Sequence, residues 1–172
     1  MEVYAGMLDN MDYHFGRVVN FLKDIGEYDN TIVIFLSDNG PNPWYSEDYP
    51  GNRGSKWFAH FDNSLENLGH PISHYAYGMG FGSAIAGPLD LFKIAVSEGR
   101  IRSPLLIAGP GAKGGRQVDA FGYVWDLMPT ILELAGIPHP EKYQGRQVEP
   151  TRGKALTGVL CTPAMSVLRR AT

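Results

Sequence analysis

The chain has a single cysteine, Cys161, so no disulfide can form within it, and cysteine usage does not identify its compartment. No apolar run approaches the roughly 20 residues of a membrane span, and no signal-like stretch opens the chain. A basic stripe is missing too: with a net charge of -3 and a pI near 5.9, nothing in the composition points to nucleic acid or another polyanion. Only 19% of residues are charged, while glycine occurs 21 times and proline 12 times, which implies long ordered loops and not a disordered tail. What is present is enough to build a core. At 172 residues and 44% hydrophobic, the length suggests one domain. Met1-Glu2-Val3-Tyr4 opens inside a helical pattern, from which further sequence upstream is expected.

The stretch that organises the rest is Thr31-Ile32-Val33-Ile34-Phe35-Leu36-Ser37-Asp38-Asn39-Gly40. Its first six residues are apolar or β-branched without alternation, the pattern of a parallel strand buried on both faces in a doubly wound α/β sheet. In open α/β sheets ligands lie outside the carboxyl ends of the strands, where Asp38 and Asn39 would emerge with oxygen atoms outward. A hard cation or a polar substrate is the natural partner of such oxygens. An Asx-rich turn after a strand accounts for the same three letters Asp-Asn-Gly without any ligand. Gly40 permits a sharp turn and Pro41 ends the strand.

Upstream, Tyr4, Leu8, Met11, Phe15, Val18, Leu22 and Ile25 recur at steps of three and four, predicting an amphipathic helix over residues 3–25 that stops at Gly26. Downstream, residues 41–90 hold no persistent period but many rings, among them Trp44, Tyr49, Trp57, Phe58, Phe61, Tyr75, Tyr77 and Phe81. These rings either wall a pocket for a substrate's organic part or pack the long loop onto the domain. His70 and His74 have the spacing of a helical metal pair, but Pro71 intervenes and no third zinc-type ligand accompanies them. Leu105 to Ala108 is a second strand candidate. The glycine-rich run from Gly109 to Gly115 lacks the Gly-Lys-Ser/Thr ending of a phosphate loop and reads as a turn. Asp126 is a candidate N-cap for a helix that Gly136 and Pro138 end.

Three stretches together resemble the type I sulfatases of the alkaline phosphatase-like superfamily, most closely bacterial arylsulfatases. They are the helix with Met11-Asp12 and Gly16 leading into Asn30 to Gly40; Lys93 followed by Glu98-Gly99 and Ile101-Arg102-Ser103-Pro104; and Asp126-Leu127-Met128-Pro129-Thr130-Ile131-Leu132-Glu133-Leu134-Ala135-Gly136-Ile137. The resemblance covers residues 1–158, which it implies to be the C-terminal portion of a sulfatase catalytic domain. Residues 159–172 form an unmatched tail. It implies an alkaline phosphatase-like α/β sandwich with a mostly parallel central sheet, incomplete on its N-terminal side. By the same resemblance Asp38 and Asn39 are oxygen ligands of a calcium or magnesium ion that holds the sulfate ester, and Lys93 contacts the sulfate.

The family's nucleophile is a hydrated formylglycine made from a Cys/Ser-x-Pro-x-Arg motif, expected upstream of this chain. The nearest string, Cys161-Thr162-Pro163-Ala164-Met165, has methionine in place of the arginine and stands at the wrong end. Arg100 replaces a glycine usual in the family, so a positive φ there would strain the turn that follows Lys93.

The implied function is hydrolysis of a sulfate ester, a small aryl sulfate or a sulfated sugar. The rivals are a phosphate or phosphonate monoester hydrolase of the same superfamily, whose members often resemble Asp-His where this chain has Asp38-Asn39, and a non-catalytic chain that binds a cation or a partner polypeptide. An open sheet edge would favour association. Four expectations follow. Asp38 and Asn39 should face a common cleft; Lys93 should reach the same cleft; calcium should bind the chain weakly; and the chain alone should not turn over an aryl sulfate.

Overall fold

The computed structural model describes residues 2–110, 112, 114–115 and 117–160. The three-and-four spacing near the start of the chain produces helix α1, Glu2–Asp24. Gly26 ends it, as expected, at φ +75°: its N–H donates to Lys23 O at 3.0 Å, and the Glu27 N–H donates to Leu22 O at 2.9 Å. These paired bonds satisfy carbonyls that the helix itself leaves open. No residue of α1 is buried, and Met7, Tyr13 and Phe21 are each at least 60% exposed. The apolar stripe that makes the helix legible in the sequence is therefore largely uncovered.

A 3₁₀ turn at Tyr28–Asn30 leads into β1, Val33–Leu36, which pairs with β2, Leu105–Ala108, in a two-stranded sheet. Gly109 follows β2 at φ +126°, and a Cβ there would collide with the Thr31 carbonyl. Only glycine lets the exit of β2 pass so close to the residues that enter β1. That is the relation of neighbours running in opposite directions, where the unbroken apolar run reads as a parallel strand. Burial also departs from that reading. Val33, Ile34 and Phe35 are half-buried, Leu36 is exposed, and in β2 only Ile107 is better than exposed. A pair of strands has two open edges and no flanking strand to cover either one, so apolar content alone does not bury it.

The described residues divide into two compact units, one drawn from 1–20 and 36–105 and the other from 21–35 and 106–172. Among the described residues the buried hydrophobic side chains are Ala86 in the first and Leu134 in the second.

In the first unit, the region without an expected period carries 3₁₀ turns at Ser46–Asp48, Phe58–His60 and Leu65–Asn67, and a helix, α2, at Gly78–Ala86. The three glycines of α2 are poor helix formers, which hides it from periodicity. For Gly78 there is a packing reason. The buried positions are Gly78, Gly82 and Ala86, every fourth residue. A Cβ at Gly78 would enter the Tyr45 ring, whereas one at Gly82 would meet Pro43 Cα at 3.5 Å, an ordinary contact. Most of the aromatic loop packs on itself: Trp57, Phe58 and Phe61 surround the His74 ring at centroid distances of 5.3, 5.9 and 5.2 Å. Helix α3, Glu98–Ile101, precedes β2.

In the second unit, α4 spans Leu127–Ala135 and ends at Gly136, φ +65°, with Gly136 N–H to Glu133 O at 3.1 Å and Ile137 N–H to Leu132 O at 2.9 Å. This repeats the ending of α1. Strands β3, Lys142–Tyr143, and β4, Arg146–Gln147, form an antiparallel hairpin whose turn residues Gln144 and Gly145 both have positive φ, as a two-residue turn of this hand requires. Helix α5, Thr157–Leu160, closes the described chain.

The role expected for Asp126 needs correction. Its side chain does not cap α4. Instead it is 7% exposed and accepts Tyr123 N–H at 2.7 Å and Lys154 N–H at 2.8 Å. Thr130, fully buried, donates to Asp126 O at 2.6 Å and accepts Leu156 N–H at 2.9 Å. This network clasps the 153–156 segment to the start of α4. No helix among the described residues is long and apolar enough to cross a membrane.

Candidate functional site

The site begins with the turn that follows β1 in the chain. The Ser37 hydroxyl donates to Asn39 O at 2.8 Å, tightening residues 37–39. Two glycines then allow backbone to meet backbone. The Gly40 N–H donates to Arg100 O at 2.7 Å, and a Cβ at Gly40 would collide with Gly99 O. The Gly99 N–H donates to Asp90 O at 2.9 Å, and a Cβ there would collide with Leu91 O. Between these contacts the Lys93 N–H donates to Pro41 O at 2.9 Å. Although 53 residues separate Lys93 from Gly40, three backbone bonds thus hold the turn after β1, the 90–94 segment and the start of α3 together.

The strain expected at Arg100 is elsewhere. Arg100 lies within α3 and has no positive φ, whereas Leu91 and Ile94, two residues before and one after Lys93, sit at φ +59° and +87°. For a β-branched residue such a φ costs roughly 1–2 kcal/mol. The surrounding bonds hold it there.

These contacts shape an open cleft of about 560 Å³ within the first unit, in the size range of small-molecule sites. Asp38, Asn39 and Lys93 all line it, together with Asn42, Tyr77 and Arg102. Sequence reasoning thus named three residues that the fold brings to one place. Asp38 is exposed, while Asn39 and Lys93 are half-buried. Among the described residues none of the three side chains has a hydrogen-bond or ion-pair partner. Arg102, by contrast, is engaged with Glu98 at 3.1 Å.

Asn42 escaped sequence reasoning, and Tyr77 was one of many rings expected either to wall a pocket or to pack the loop. The Asn42 N–H donates to the Tyr77 hydroxyl at 3.0 Å, its carboxamide NH₂ donates to the Tyr49 hydroxyl, and its Oδ1 accepts Trp44 N–H at 3.1 Å. Burial raises the Tyr77 phenol above its ordinary value, against an opposing contribution from the Asn42 N–H. The density of rings in residues 41–90 was the available signal, and of those rings Tyr77 faces the cleft. His70 is exposed and His74 sits in its ring cluster.

Chemically, a carboxylate and a carboxamide side by side offer oxygen donors to a hard cation, and an ammonium offers charge to an anion. A calcium ion takes about 6–8 oxygen ligands, so these two fit as part of a shell. Among the described residues there is no cluster of three or more His, Cys, Asp or Glu able to hold a metal. Cys161 to Met165, and the chain on to Thr172, lie outside the described residues.

The family model described as Sulfatase matches residues 1–137. An uncharacterized sulfatase of Schizosaccharomyces pombe is 47% identical over 156 residues, covering 90% of this chain and 28% of that protein. An arylsulfatase of Klebsiella aerogenes is 34% identical over 176 residues, 99% of this chain and 36% of that protein. An N-acetylglucosamine-6-O-sulfatase of Bacteroides thetaiotaomicron is 28% identical over 151 residues, 87% and 20% of the two chains. The chain therefore spans between a fifth and about a third of the length of these relatives.

Proposed function

The chain belongs to the sulfatase family, and from that premise we propose that it contributes the cation-ligand and sulfate-binding side of a sulfate ester hydrolase site. The observation that supports this reading is the convergence of Asp38, Asn39 and Lys93 on one cleft, with no partner among the described residues for their charged or polar ends. Asp38 and Asn39 are ligands of a calcium or magnesium ion, and Lys93 contacts the sulfate. The bound divalent ion supplies positive charge beside the ester's oxygens. The Lys93 ammonium adds a second positive group where negative charge grows as the S–O bond breaks, on a backbone that the Lys93 amide N–H ties to Pro41 O. The substrate is a sulfate ester of a phenol or of a sugar hydroxyl, the two kinds named for the relatives. The two strands β1 and β2 are neighbours in the larger sheet of an alkaline phosphatase-like sandwich, mostly parallel elsewhere.

The formylglycine nucleophile belongs to sequence outside this chain, so residues 1–172 alone will not turn over 4-nitrophenyl sulfate. Loss of a nucleophile leaves positioning and electrostatics only. Release of 4-nitrophenol is the test, measured with calcium for the chain alone and after co-expression with an upstream segment carrying Cys/Ser-x-Pro-x-Arg in a host that oxidises it. The expected result is turnover only in the co-expressed form, and its loss in Asp38→Ala. Turnover by the chain alone that disappears in Cys161→Ser would overturn the assignment of the nucleophile. Turnover by the co-expressed form that is untouched by Asp38→Ala and Lys93→Met would overturn the site.

A further inference from the structure

Tyr77 stands in the cleft with its hydrogen-bonding capacity half used. A phenol can give one proton and accept at its oxygen. The oxygen accepts the Asn42 N–H at 3.0 Å, and the O–H has no acceptor among the described residues. Two rings fix its place: Tyr4 lies edge-on to it and Phe81 tilted against it, each with centroids 5.6 Å away. With ring and oxygen both held, the remaining proton is available to whatever occupies the space shared with Asp38, Asn39 and Lys93. Burial keeps the phenol protonated beyond its ordinary range, so the donor persists through neutral and mildly alkaline pH.

Resting on the reading of this cleft as a sulfate-ester site, we propose that the Tyr77 hydroxyl donates a hydrogen bond to an oxygen of the bound ester, which makes Tyr77 a substrate-contacting residue beside Lys93. An anionic ester oxygen is a better acceptor for that proton than water, because a charged partner roughly doubles the strength of such a bond. The bond from Asn42 gives Tyr77 a second duty: it ties the cleft-lining hydroxyl to the loop that carries Asp38 and Asn39.

The two duties can be separated. Tyr49 also holds Asn42, through the carboxamide, but does not line the cleft. The experiment titrates 4-nitrophenyl sulfate into the 172-residue chain in calcium, followed by NMR of ¹³Cζ-labelled tyrosines, for wild type, Tyr77→Phe, Tyr49→Phe, Asp38→Ala and Lys93→Met. The Tyr77 resonance should move with ligand while that of Tyr49 stays, and Tyr77→Phe should weaken binding about 10- to 150-fold, the range of a hydrogen bond to a charged group. Tyr49→Phe should stay within about twofold of wild type. Equal losses in Tyr77→Phe and Tyr49→Phe would overturn the proposal by reducing Tyr77 to loop support. So would unchanged binding in Tyr77→Phe, with the cleft reading left standing if Asp38→Ala and Lys93→Met still weaken it. Binding indifferent to Asp38→Ala and Lys93→Met, or no binding by wild type, would overturn both.

Discussion

Asp38 and Asp126 are the same residue put to opposite uses, one in each unit. The Asp126 carboxylate is buried and fully occupied, with one oxygen on Tyr123 N–H and the other on Lys154 N–H. The Asp38 carboxylate is exposed and makes no hydrogen bond among the described residues, although the backbone around it is tightly stitched through Gly40 and Gly99. A buried carboxylate must find donors or lose much of the fold's stability, so its partners identify it as a structural clasp. A carboxylate held in a cleft by its neighbours' backbone, with its own oxygens unused, costs the fold little and remains open to a ligand. Rigid backbone beneath an unsatisfied side chain is thus the combination on which the proposed site at Asp38 rests.

Substitutions can break this contrast. The largest loss is expected at the backbone beneath Asp38: Gly40→Ala or Gly99→Ala puts a methyl against a carbonyl with no rotamer to relieve it, and should cost about 3 kcal/mol or more in urea unfolding. A loss under about 1 kcal/mol would mean that the two segments separate easily. Asp126→Ala should come next, at about 2–3 kcal/mol, because it strands two backbone N–H groups of the second unit. Asp38→Ala should change stability by no more than about 0.5 kcal/mol; a loss equal to that of Asp126→Ala would erase the distinction. Ile94→Gly should stabilise the fold, by up to about 1 kcal/mol, since glycine takes φ +87° without the β-branched penalty. The smallest effect is alkaline. The Tyr77 phenol is raised above its ordinary value of 10.0 in the fold, so the folded chain binds more protons than the unfolded one just above that pH. Its contribution to stability is therefore complete below pH 10.0 and is lost as pH rises beyond it. Thermal melts should show a shallower alkaline decline for Tyr77→Phe than for wild type.

Local signals carried far in this sequence. Helix α1 was legible to within a residue or so at each end because its period and its Gly26 stop are both written in consecutive residues, and Gly136 marked the end of α4 in the same way. Asp38, Asn39 and Lys93 were also nameable, the first two from chemistry at a strand end and the third through family resemblance. Features that depend on distant partners were not legible. Asp126 looked like a helix cap because its second partner, Lys154, is 28 residues away. Tyr77 was one ring among many because Asn42, which fixes it, lies 35 residues upstream. Helix α2 was concealed by three glycines, of which Gly78 makes room for the distant Tyr45 ring. The burial of β1 depends on which strands flank it, and no property of Ile32 to Leu36 encodes that.

Calcium titration of the 172-residue chain, read from the ¹³Cγ resonance of Asp38 and the side-chain amide of Asn39, tests the central claim most directly, since it asks whether those unused oxygens meet a cation. The expected result is a pair of shifts confined to these two residues, weak in affinity with a Kd of about 1 mM or above because they supply only a minority of the ligands, and absent in Asp38→Ala. Shifts elsewhere with Asp38 and Asn39 unmoved, or tight binding that survives Asp38→Ala, would contradict it.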